Sequence, residues 1–112
     1  MSTPFYNNAA FDAAWIRGVR LAGARFFRPT GEGDGTSKWD FSPDYDRIND
    51  ALGVLSTGEA VFLAAMYSFF NPDAGATMLR TLGAHSPGGV AVALDEPRRR
   101  VIADLTVSYA GW

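Results

Sequence analysis

The chain has 112 residues, a formal net charge of -2 and no cysteine. That length predicts one domain over residues 1 to 112, and the missing cysteine excludes a disulfide framework, a thiolate metal site and a cysteine nucleophile. The small net charge argues against direct nucleic-acid binding and against a membrane surface.

The N-terminal MSTPFYNNAAFDAAW has no basic region leading into an apolar one and no lipidation pattern, so a cytoplasmic protein is expected. Charge is unevenly spread: residues 1–30 carry +3, residues 31–73 carry -6 and the remainder +1. The simplest reading is mutual attraction of the basic first helix and the acidic middle within one fold.

Asn7 or Asn8 can cap a first helix, with Phe11, Trp15, Val19, Ala22 and Phe26 forming one apolar stripe. Ala14, Gly18 and Ala22 fall four apart and let another helix approach closely. That helix is either a second copy, giving a homodimer that crosses at Gly18 with Trp112 as an aromatic anchor, or another helix of the same chain.

From Pro29 to Phe41 the sequence is rich in glycine and has neither helical nor alternating period, so a long acidic loop is expected. Glu32 and Asp34 resemble the start of a calcium loop, but Phe41 stands where the closing glutamate would be required. Ser42 and Pro43 then read as cap and first position of a second helix with Tyr45, Ile48, Leu52 and Leu55 inward and Asp46, Arg47, Asn49 and Asp50 outward.

Ser56 followed by Glu59 is a capping box. After it AVFLAAMYSFF has Ser68 as the one side chain that is neither aliphatic, aromatic nor sulfur-containing, so Ser56 to Phe70 predicts a helix buried on every face, too short to span a bilayer. Asn71-Pro72 ends that helix and starts the next, which carries Met78, Leu79 and Leu82 and stops before Gly83.

Residues 90–109 fit two patterns. Val90, Val92 and Leu94 against Val101, Ala103, Leu105 and Val107 alternate as a hairpin would. The Asp95-Glu96-Pro97 start and the spacing of Val101, Ile102, Leu105 and Tyr109 suit a helix, which the helical surroundings favour. The expected fold is therefore all-α, five or six short helices around a central buried one, with α+β and a C-terminal hairpin as the alternative.

No motif assembles a reactive set. His85 after a helix end is the sole histidine, the glycines near Asp34 lack the ending of a phosphate loop, and no helix pairs metal ligands, so no catalytic residue, cofactor or metal is expected. What remains is a protein-interaction or regulatory module. Its candidate partner-binding residues are Glu32, Asp34, Trp39, Asp40, Asp44, Asp46 and Asp50 in the acidic middle, and Arg98, Arg99 and Arg100, whose guanidinium forks suit carboxylates. Two rival readings are an acidic binder that covers the basic surface of a nucleic-acid enzyme, and a small enzyme using His85.

Overall fold

The computed structural model describes residues 8–29 and 35–112, so Glu32 and Asp34, with the first part of the expected loop, lie outside the described residues. Among the described residues the fold comprises six α-helices and one short antiparallel pair: α1 (Ala9–Ala22), β1 (Phe27–Pro29), β2 (Phe41–Pro43), α2 (Tyr45–Ala51), α3 (Thr57–Phe70), α4 (Pro72–Thr81), α5 (Pro87–Ala93) and α6 (Glu96–Ser108). None of these helices is long and apolar enough to cross a membrane.

Side-chain caps fix the starts. Ser56 and Glu59 form both halves of the capping box at α3, while Asn71, Ser86 and Asp95 each accept a first-turn N–H of α4, α5 and α6. Residues 90–109 are thus the end of α5 and the whole of α6, and the hairpin alternative is not formed. α5 exists in spite of Gly88-Gly89 because Ser86 caps it and Pro87 supplies the helical φ of its first position.

Ala60 through Tyr67 are all buried, as a helix without a polar face requires. α3 packs against α1, α2, α4, α5 and α6. Its closest neighbour is α4, admitted by Gly75, since a Cβ there would collide with the Ser68 backbone. On α1, Ala14, Gly18 and Val19 are buried, and a Cβ on Gly18 would come within 2.6 Å of Met66 Cε and 3.1 Å of Val101 Cγ1. Of the two partners left open for the Ala14, Gly18 and Ala22 strip, helices of the same chain therefore meet it at Ala14 and Gly18, against α3 and α6, with Ala22 only partly buried.

Trp112 likewise packs, partly buried, on aromatic rings of its own chain. Its ring stands 4.7 Å from Trp15 and 5.1 Å from Phe70, in a cluster completed by Phe11 and Trp39. Edge-to-face pairs of this kind add about 0.5–1.5 kcal/mol each beyond the area they bury. Lys38 covers the cluster, with Nζ 5.1 Å from the Trp39 and Trp112 centroids, and burial pushes its ammonium pKa down.

The all-α expectation needs one correction. α1 stops at Ala22, where Gly23 has φ 112°, so Phe26 belongs to a following 3-10 turn and not to the α1 stripe. The chain then enters β1, which pairs with β2 in the register Phe27 to Pro43, Arg28 to Ser42 and Pro29 to Phe41. The buried Trp15 indole fixes β2 by donating to the Phe41 carbonyl at 2.9 Å, and the Asp44 N–H donates to the Phe26 carbonyl at 2.9 Å. Ser42 and Pro43 are consequently strand, and Asp44 caps α2.

Two expectations follow from this packing. Phe62→Ala or Leu63→Ala should cost about 2–5 kcal/mol in urea unfolding through lost transfer energy and a cavity, and losses under about 1 kcal/mol at both positions would contradict the all-round burial. Gly18→Leu should cost about 1–3 kcal/mol by overpacking against Met66 and Val101, while unchanged stability would return that strip to the surface.

Candidate functional site

The acidic residues of the middle segment divide by what they touch. Asp40 accepts the N–H groups of Gly35 and Ser37 at 3.0 and 3.2 Å and so shapes the turn ahead of β2. Asp44 is the buried charged side chain among the described residues. It accepts the Arg47 N–H as helix cap and takes Arg28 Nε at 2.9 Å, with Arg47 Nε at 3.6 Å. The hydrogen bond from Arg28, followed by that from the Arg47 backbone, holds its carboxyl below the usual carboxylate range.

Asp44 is thus a clamp between β1 and α2 and is withdrawn from any partner surface. Asp46 and Asp50 are exposed on α2. Trp39 is 57% exposed and leans on Trp112 at 5.9 Å, so it is the rim of the aromatic cluster.

The consecutive arginines at the start of α6 have three different surroundings. Arg98 pairs with Asp95 at 2.7 Å and lies 5.7 Å over the Phe62 ring. Arg100 pairs with Glu96 at 3.0 Å. Arg99 instead donates its Nε–H to the Ala91 carbonyl at 2.7 Å and has no carboxylate partner among the described residues.

Arg99 opens onto the feature that sequence reasoning missed. α5 rests on α3 without comparable contact to α4 or α6, and beside it runs an open apolar groove of about 610 Å³. Its floor includes Ala65, Ser68 and Phe69 of α3, and Leu79, Val90 and Ile102 contribute from α4, α5 and α6. Ser68 does not present a free hydroxyl, since its O–H donates to the Ala65 carbonyl. Arg99 and His85 are the only ionisable lining residues described, and no carboxylate stands beside His85 in the groove to orient an imidazole for catalysis.

The size and apolar lining match those of binding sites generally. The groove holds no set of metal ligands, and no group of three or more His, Asp or Glu converges among the described residues. The sequence carries no separate signal for the groove, because Ile102 reads as part of one apolar face with Val101 and Leu105. Compared with known proteins, the chain matches no family model, no curated protein and no solved structure.

The Asp44 clamp has a pH signature. A carboxyl held low in the folded state contributes stability that is fully present above its unfolded pKa of about 3.9 and is lost as pH falls through the lower folded value. Asp44→Asn should therefore show a smaller drop in urea midpoint between neutral pH and about pH 3 than the wild type, with a residual drop from Glu59, whose capping hydrogen bonds with Ser56 also lower its pKa. Equal acid losses in the two proteins would remove the clamp.

Proposed function

We propose that this chain is a small protein-interaction module, organised around α3, whose recognition surface is the groove between α4, α5 and α6. The observation that carries the reading is the open apolar groove itself, which Ala103 of α6 lines, with Val107 one turn on and 87% exposed. Ala103 and Val107 lie four apart and so share a helix face. Contiguous apolar surface with a polar rim marks interaction sites in soluble proteins.

The acidic-binder reading has less support, because Asp40 and Asp44 serve the fold and leave Asp46 and Asp50 as its exposed described carboxylates. A cytoplasmic setting fits a chain that needs no disulfide to hold its core.

The test is comparative capture from the protein's own cell. Tagged wild type is set beside Ala103→Arg, which places a charged side chain in the groove, and beside Asp46→Asn/Asp50→Asn, which alters the acidic face. Captured proteins lost with the first variant and kept with the second are expected, and the opposite pattern would favour the acidic binder. Circular dichroism melts of each variant exclude loss through unfolding.

A further inference from the structure

Resting on that reading, we infer that the groove takes an amphipathic helix of a partner protein, with apolar residues on one face and a carboxylate that pairs with Arg99. The secondary structure of the occupant follows from the walls. An extended peptide that adds a strand needs an open sheet edge, whereas neither strand of the β1–β2 pair contributes a residue to the groove, whose walls are mainly helical. A proline-rich peptide needs a groove lined by aromatic ridges, and Phe69 is the single aromatic lining residue.

An apolar trough bordered by helices suits a third helix laid into it, read through anchors at i, i+3 or i+4 and i+7. The lining positions of α6 from Arg99 to Thr106 cover about 10 Å at 1.5 Å per residue, the length over which such anchors recur. The apolar surface beyond the groove at Val107 extends this track in a way that an enclosed small-molecule site would not use.

The charge of the occupant follows from Arg99. No acidic side chain lines the groove, Arg98 and Arg100 are each matched by a carboxylate of their own helix turn, and Arg99 is held by Ala91 through Nε alone. That single bond orients the guanidinium while its terminal N–H groups remain available for two-point binding of a carboxylate, the geometry in which arginine differs from lysine.

The experiment uses the full chain and fluorescein-labelled synthetic helical peptides of about 15 residues, with leucines at i, i+4 and i+7 and either glutamate or lysine one turn before the first leucine. Fluorescence anisotropy at low salt is expected to show the glutamate peptide binding about tenfold tighter than the lysine peptide. Arg99→Glu should reverse that preference, Arg99→Met should abolish it, and Ala103→Arg should weaken both peptides. Arg99 is exposed, and melts check that each variant is folded.

Equal binding of the two peptides, or a preference unaffected at Arg99, would overturn the inference. So would binding of dodecanoate without either peptide, which would make the groove a small amphiphile site, or concentration-dependent self-association abolished by Ala103→Arg, which would seat a second copy there. If the peptides fail while capture from the cell still depends on Ala103, the interaction module stands and its acid-bearing helical partner does not.

Discussion

The structure depends on one constraint: α3 has no side suited to water. Between Ala60 and Tyr67 every residue is buried, and the chain must supply cover from several directions with helices of seven to fourteen residues. Two devices make this achievable. Gly18 and Gly75 remove side chains where α1 and α4 approach most closely, and the aromatic cluster of Phe11, Trp15, Phe70 and Trp112 seals one end. The cover is incomplete beside α5, a short helix that rests on α3 without comparable contact to α4 or α6. The groove is the consequence, so core and candidate site are two faces of the same helix.

Charged groups have the complementary role of fixing direction. Exposed ion pairs such as Arg100 with Glu96 contribute about 0–1 kcal/mol, too little to determine the fold. Asp44 is different because it is buried and joined to two arginines and a helix start at once, which ties the strand pair to α2. Removing one partner of such a group leaves a charge away from water without compensation. Arg17 with Asp104 links α1 to α6, but both side chains are exposed and the pair belongs with the weaker ones. With these contacts assigned, Arg99 stands out as a groove-lining cation without an acid of its own among the described residues.

The starts of α3, α4 and α6 were legible in the sequence because their signals are local, whereas α2 starts at Asp44 and not at the expected Ser42. Ser56 with Glu59, Asn71 with Pro72, and Asp95 ahead of Pro97 each satisfy N–H groups within a few residues, so spacing alone identifies them. The strand pair was not legible. Three-residue strands carry no period, and their pairing depends on Trp15 reaching the Phe41 carbonyl across 26 positions. For Gly18 the sequence left two partners open, and the positions of Met66 and Val101 decide between them. The groove was hidden for the same reason: Leu79, Val90 and Ile102 each look like ordinary core residues until three helices leave a gap between them. Three consecutive arginines were visible as a group, but which of them lacks a carboxylate is set by rotation around α6 and by the carbonyl of Ala91.

The most direct test of this account is native-state amide hydrogen exchange resolved by residue. If α3 is the element on which all others depend, the amides of residues 63 to 67 should exchange only through global opening, with a free energy equal to that from urea unfolding, while amides at the end of α5 should exchange through a smaller local opening. Exchange of the α3 amides at a free energy well below the global value, or ahead of those in α5, would contradict it.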